Sequence, residues 1–353
     1  MSINSQNEEV SRLIRMILFG GIQKAVKNNK PFHMTVELNK NCKAQCKYCY
    51  SSAADFVDSI IDTDVVYRII DDAQEIGIRI IYWWGGDPLL HPHWFDIFRY
   101  CSKKRIVSNV MLTGFISPAD AEKLTSIKSS MAVTFQMDTI DQGIYNIISK
   151  KPETLKERMA GYNNLVNAGF PREQIYGKMI ISKAIIPSYK ETLDWFANDV
   201  GVSFVSCGTY KDQRYVKMKR QYEVSLSDKR RVMEYRDQCF GNFLEKMGTC
   251  DLGMAWCRSH FIVYANGDVS PCYYLYDFIV GNIYQDSIIN ILQKHSDILL
   301  FNYEINGFCS QCKKYNSICI GCRADAYQYA GDVCASSPKC FMNSNAREYY
   351  CSD

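Results

Sequence analysis

Residues 41–52 read NCKAQCKYCYSS and place cysteines at 42, 46 and 49 on one short loop. A closed zinc or iron–sulfur site takes four protein ligands, and no fourth stands beside these three. Three thiolates spaced C-x3-C-x2-C can hold three irons of a 4Fe–4S cube and leave one iron open. An open position is what separates a reactive metal centre from a structural one.

What flanks the loop gives it a place in a fold. HMTVEL (33–38) precedes it as a short β-branched run, and further runs follow: IRIIYW (78–83), IVSNVML (106–112), MAVTFQM (131–137), IYGKMII (175–181) and VSFVS (202–206). Between them lie amphipathic segments. In 64–77, Val66, Ile69, Ile70, Ala73 and Ile76 share one helical face and Gly77 ends it. At 117, Ser is placed as N-cap, with Pro118 at the first helical position and Asp120 at the third. Six strands with intervening helices predict a parallel α/β sheet, open or closed into a barrel, whose sites gather at the carboxyl ends of the strands. The cysteine loop follows the first strand and GGDPLL (85–90) follows the second, so both fall on the same rim.

The chain of 353 residues carries a formal net charge of +3 and no block of like charges, which gives no reason to expect a nucleic-acid partner. Its longest early apolar run, Met16 to Ile22, is broken by Gly20 and Gly21 and too short to span a bilayer. We expect a cytoplasmic protein with no membrane segment. Of the 16 cysteines, ten lie between Cys250 and Cys351. In a protein that is not exported such clustering points to metal rather than disulfides. With five histidines in all, mixed Cys/His zinc sites have little material.

With the loop in this strand context, the sequence resembles the radical S-adenosylmethionine (SAM) superfamily. The resemblance implies a partial (β/α)6 TIM-like barrel in which the amino and carboxylate groups of SAM chelate the fourth iron, and reductive cleavage gives a 5′-deoxyadenosyl radical that abstracts a substrate hydrogen. Gly85, Gly86, Asp87 and Pro88 look like the family's G-G-E-P element, with Asp in place of Glu, and are expected to meet the SAM amino group. LTG at 112–114 resembles T-N-G with Thr113 in the Asn place. Gln136 and Asp138 occupy the S-x-D place. Tyr48 would offer its backbone to adenine, and Lys178 faces either the SAM carboxylate or solvent.

After Gly208 the character changes through a polar, basic stretch and a helical segment from about Ser227 to Lys246. We divide the chain into an N-terminal helical segment (1–32), the barrel (33–210), a helical linker (211–249) and a cysteine-rich part (250–353). Cys257, Gly267 and Cys272 fit C-x9-G-x4-C; Cys309, Cys312, Cys319, Cys322 and Cys340 follow. This order is similar to the SPASM extension of radical SAM enzymes, except that the second block reads C-x2-C-x6-C-x2-C and so displaces Cys319 by one residue. The resemblance implies two auxiliary 4Fe–4S clusters, three in all. Cys257, Cys272 and Cys322 would hold the first, and Cys309, Cys312, Cys319 and Cys340 the second. The fourth ligand of the first is Cys250, Cys334 or a substrate or water on an open iron. A pair of zinc ribbons built on CSQC and CIGC is the competing reading.

Auxiliary clusters can accept an electron from a substrate radical or bind the substrate, which favours net oxidation or bond formation. Sulfatase-maturing relatives carry an acid directly after the cysteine matching Cys272. Tyr273 stands there, and the first carboxylate comes only at Asp277, so formylglycine formation with that base is disfavoured. Tyr273, Tyr274, Tyr276 and Asp277 are candidate proton or electron relays, with aromatic packing the plainer role. The leading expectation is modification of a peptide, as in ribosomal peptide maturation; the alternatives are oxidation, rearrangement or decarboxylation of a small molecule such as an aminosugar or porphyrin side chain, and a non-catalytic electron carrier. SRLIRMILFGGIQKAV (11–26) reads as one amphipathic helix, too little for a leader-binding module, so a peptide would need a separate recognition protein or direct docking on the rim. Reduction would come from a flavodoxin or ferredoxin.

Overall fold

A computed structural model of the protein describes residues 21–50, 59–211, 221–241, 248–250 and 253–343. The expected N-terminal helix is seen from residue 21, with 21–27 helical. Its earlier part, the Cys250 side chain, Cys351 and much of the linker lie outside the described residues.

A parallel sheet forms from β1 (His33–Asn39), β2 (Ile80–Gly85), β3 (Val107–Leu112), β4 (Met131–Gln136), β5 (Ile175–Ile181) and β6 (Val205–Thr209). These are the six predicted strands, shifted by up to three residues at their starts. The sheet stays open. Beyond β1 it continues into the cysteine-rich part, where β7 (His260–Val263) pairs parallel to β1, and β8 (Asp268–Ser270) and β9 (Gly281–Asn282) follow antiparallel.

Side-chain alternation decides which face does what. Met34, Val36 and Leu38 of β1, Ile81 and Trp83 of β2, and Val133 and Phe135 of β4 join the main apolar core under the helices. The other face carries polar and aromatic groups: His33, Thr35, Glu37 and Asn39 on β1, Tyr82 and Trp84 on β2, Asn109 on β3, Thr134 on β4, Lys178 on β5. They bond across the strands, Thr134 Oγ1 donating to Asn109 Oδ1 at 2.8 Å and Thr35 Oγ1 meeting His260 Nε2 at 2.8 Å.

The helices obey the local signals. α1 (Thr63–Ile76) buries Val65, Val66, Ile69, Ile70 and Ala73 and ends at Gly77 with φ 93°. α2 (Trp94–Lys103) stacks Phe98 against Trp83, with ring centroids 5.4 Å apart. α3 (Pro118–Ser126) starts as expected, Ser117 Oγ accepting from the Asp120 amide at 3.1 Å. α4 (Gln142–Ile148) and α5 (Leu155–Asn167) complete the wall behind the cysteine loop. In the linker a helix runs Leu226–Phe240, with Ser225 capping its start and Gly241 at φ 105° following its end; residues 242–246 of the predicted segment lie outside the described residues.

Candidate functional site

The loop after β1 is pinned to the end of α4. The Lys47 amide donates to the Ile148 carbonyl at 2.9 Å, Cys46 bridges Ser149, and Ser149 Oγ donates to the Ala44 carbonyl at 3.1 Å. This brings Cys42, Cys46 and Cys49 together, each thiol within electrostatic reach of the others. Burial, and next to it Asp87, pushes the Cys42 thiol up to about 12; burial lifts Cys46 higher still. As bare thiols Cys42 and Cys46 stay protonated. Only a bound cation makes the thiolates favourable, which is the chemistry of a metal-ligand set.

The strand-end elements meet around this loop. The Gly86 amide donates to the Asn39 carbonyl at 2.7 Å and the Asp87 amide to the Asn41 carbonyl at 2.6 Å. A Cβ on Gly86 would sit 2.0 Å from the Asn41 carbonyl oxygen, so this close approach admits only glycine. Asp87 is buried and its carboxyl is raised by burial. Thr113 Oγ1 donates to Asp87 Oδ2 at 2.5 Å, and the Leu89 amide to Oδ1 at 3.1 Å. The two departures noted in the sequence, Asp87 and Thr113, are therefore bonded to each other.

Asp138 is also buried, and burial raises its carboxyl despite three donors: the Tyr48 hydroxyl, the Ile180 amide at 2.7 Å and Gln136 Nε2 at 3.4 Å. The Tyr48 side chain thus has a structural partner of its own. Lys178 is buried on the polar face of the sheet, with Nζ 3.3 Å from Ser206 Oγ, which excludes the solvent-facing alternative.

Sequence reasoning missed Arg158. It lies on the buried face of α5, donating to the Thr113 carbonyl at 2.5 Å, the Gln136 carbonyl at 2.7 Å and the Tyr145 hydroxyl at 3.3 Å. This fixed cation acts on Cys42, Cys46, Tyr48 and Asp138. The signal was available: Leu155, Arg158, Tyr162 and Leu165 are spaced as one core-facing stripe, and an arginine within such a stripe needs buried partners.

In the C-terminal part, Cys257, Cys272 and Cys322 gather around Tyr273. Burial, then Cys322, pushes the Cys272 thiol up to about 12. Cys309 and Cys319 meet at Gly321, whose amide donates to Cys319 Sγ at 3.1 Å and whose Cβ position is 2.9 Å from Cys309 Sγ. The extra residue before Cys319 is taken up in a turn in which Asn316 adopts φ 54° and the Cys319 amide bonds the Lys314 carbonyl at 3.0 Å. Cys312 caps the short helix Phe308–Gln311. Cys340 follows the buried Lys339. Cys334 lies with Cys257 and Cys272 about Tyr303. Among the described residues no three Cys, His, Asp or Glu side chains close on a single metal ion. A cube binds each thiolate through a different iron and so asks for wider spacing.

Tyr273 is buried against Trp84, with ring centroids 4.9 Å apart. Asp277 is exposed and accepts from the Tyr327 hydroxyl at 3.2 Å. Of the four relay candidates, Tyr273 and Tyr274 are buried within electrostatic reach of Cys272 and Cys322, whereas Asp277 is turned to Tyr327. Lys211, also missed, is partly buried, with Nζ 2.7 Å from Asp325 Oδ1 and within electrostatic reach of Cys322.

Comparison with known proteins agrees with this geometry. The radical SAM superfamily model matches residues 36–196, and the SPASM iron–sulfur cluster-binding domain model matches 255–322. The chain is 23% identical over 344 residues to the AdoMet-dependent heme synthase of Nitratidesulfovibrio vulgaris, covering 86% of this chain and 90% of that protein. To the AdoMet-dependent heme synthase of Methanosarcina barkeri it is 24% identical over 350 residues, covering 88% and 97%. Among solved structures, Streptococcus suis SuiB bound to S-adenosylmethionine superposes with TM-score 0.67 at 17% identity, over 91% of this chain and 79% of that one. Native anSMEcpe with bound AdoMet gives 0.68 at 15%, over 91% and 96%.

Proposed function

The chain belongs to the radical SAM superfamily and carries a SPASM iron–sulfur domain, and from that premise we propose an oxidative radical enzyme acting on a small molecule of the tetrapyrrole class. It is an enzyme of 4Fe–4S and SAM chemistry. In our reading Cys42, Cys46 and Cys49 hold the catalytic cluster, while Gly85, Gly86, Asp87, Gln136, Asp138 and Lys178 surround SAM. Cys257, Cys272 and Cys322 hold a first auxiliary cluster, with Cys250 as its fourth ligand, and Cys309, Cys312, Cys319 and Cys340 hold a second.

Bound there, cluster and SAM supply a 5′-deoxyadenosyl radical that takes a hydrogen atom from the substrate. The protein's residues do the positioning. Asp87, held by Thr113 and Leu89, presents a fixed carboxylate that would accept from the N–H groups of an iron-bound amino group. Arg158 sets positive charge beside Cys42 and Cys46, where an anionic ligand group is favoured. Packed aromatics around Tyr273 exclude water from the space between rim and auxiliary cysteines.

The observation that carries the small-molecule reading is coverage: both heme synthases match over nearly their whole lengths, across barrel and extension alike. This moves it ahead of the peptide expectation that led the sequence analysis. Peptide modification stays as a second reading, supported by the fold shared with SuiB, which has been solved bound to precursor peptide SuiA (TM-score 0.67, 15% identity). A flavodoxin or ferredoxin is the proposed reductant.

The test is anaerobic incubation of the reconstituted full chain with SAM, dithionite and an iron porphyrin bearing carboxylated side chains. We expect 5′-deoxyadenosine together with a porphyrin of altered mass. 5′-Deoxyadenosine that rises only with peptides would overturn the tetrapyrrole assignment, and none under any condition would overturn the radical chemistry in this chain.

A further inference from the structure

Tyr50 is peptide-bonded to Cys49, and Tyr273 is peptide-bonded to Cys272. Although 223 positions separate them in sequence (273 minus 50), their rings are in contact, with centroids 5.3 Å apart and planes at 59°. We propose that this pair is the electron bridge between the catalytic cluster and the first auxiliary cluster. The inference rests on the cluster assignments above and adds the route that joins them.

Three features single out this contact. It is short in both directions: one residue leads from a cysteine of the catalytic loop to the ring pair, and one residue leads from the pair to an auxiliary cysteine. It is embedded, since Trp84 lies 4.9 Å from Tyr273, Tyr274 lies 5.7 Å from Tyr50, and the Tyr276 hydroxyl donates to the Tyr50 carbonyl at 3.3 Å. Tyr273 is also within electrostatic reach of Cys257 and Cys322, so it lies beside all three cysteines assigned to the first auxiliary cluster.

The phenol is not what couples the sites. Among the described residues the buried Tyr50 hydroxyl has no hydrogen-bond partner, so no acceptor is in place for a proton released by an oxidised tyrosine. The ring contact itself carries the electron. One electron leaves one cluster, which is oxidised, and arrives at the other, which is reduced; no bond forms or breaks and no proton moves. An electron accepted at the auxiliary site is thereby shared with the site that cleaves SAM.

The experiment uses the anaerobically reconstituted full chain. Deazaflavin flash reduction is followed by freeze-quenched electron paramagnetic resonance, with SAM added to shift the catalytic cluster's signal and so tell the clusters apart. The parental protein shows a fast phase of redistribution between the two signals. Tyr50→Phe keeps that phase, because the ring remains. Tyr50→Leu loses it while iron content and both cluster signals stay parental. Tyr273→Leu asks the same question from the auxiliary side should Tyr50→Leu bind less iron. A fast phase retained in either leucine variant, or lost in Tyr50→Phe, overturns the bridge. Absence of the auxiliary signal in the parental protein would instead overturn the cluster assignment, so the two failures are distinguishable.

Discussion

Replacing Thr113 by Val removes one hydroxyl and keeps the shape of the side chain. That hydroxyl lies 2.5 Å from Asp87 Oδ2, with both residues buried, while Oδ1 keeps the Leu89 amide at 3.1 Å. A hydrogen bond to a charged group contributes roughly 1.5–3 kcal/mol, and the abandoned carboxylate oxygen has no water to turn to. We therefore expect T113V to unfold about 2 kcal/mol more easily in urea. If this carboxylate meets the SAM amino group as proposed and the same amount is withdrawn from it, the SAM dissociation constant rises about 30-fold, measured by anaerobic equilibrium dialysis. T113S restores the donor and should return both values. The pH dependence has a definite sign. Burial raises the Asp87 carboxyl above its unfolded value, so the stability this group contributes is present at low pH and lost as pH rises through the folded value. Thr113 holds that value down, so T113V should extend the loss to higher pH. Parental stability and SAM affinity in T113V would refute the claim that this hydroxyl fixes Asp87.

Replacing Arg158 by Met strands two strand-end carbonyls and the Asp138 carboxylate, so it should cost about 3–5 kcal/mol and lower iron retention at the three-cysteine loop, read from unfolding curves and iron analysis. At the Lys211–Asp325 pair burial opposes both charges, yet Asp325 lifts Lys211 well above its ordinary value, while Lys211, with Lys339 and Lys229, holds Asp325 below its own. Its stabilisation should be full at neutral pH, fade in acid as Asp325 protonates and fade in alkali as Lys211 loses its proton, and K211M should flatten that profile in urea titrations across pH. C250A should change the resonance spectrum of the first auxiliary cluster and C334A should not; the reverse would make Cys334 the ligand.

The framework of the barrel was legible because its signals are local and agree with each other. Ser117, Pro118 and Asp120 fix the start of α3, Gly77 fixes the end of α1, and the β-branched runs became strands. The glycines of GGDP were equally readable, since Gly85 packed on the Asn39 carbonyl and Gly86 on that of Asn41 leave room for nothing larger. Arg158 and Lys211 escaped because each acts on residues distant in sequence, and neither of their segments carries a motif. Asp277 was chosen for its position in the sequence alone; the turn after Tyr276 points it outward to Tyr327. Strand β7 was missed because His260–Val263 is too short to stand out from the turns around it, and only pairing with β1 makes it a strand.

That pairing has a consequence for anyone who would cut the chain. β7 lies along the open side of β1, the strand that leads into the three-cysteine loop, so the cysteine-rich part covers what would otherwise be a bare edge. Deleting it leaves an unpaired row of amides and carbonyls on an apolar strand, a template for aggregation rather than a smaller working barrel. A transplant of either half into a relative will need matching edges as well as matching cysteines.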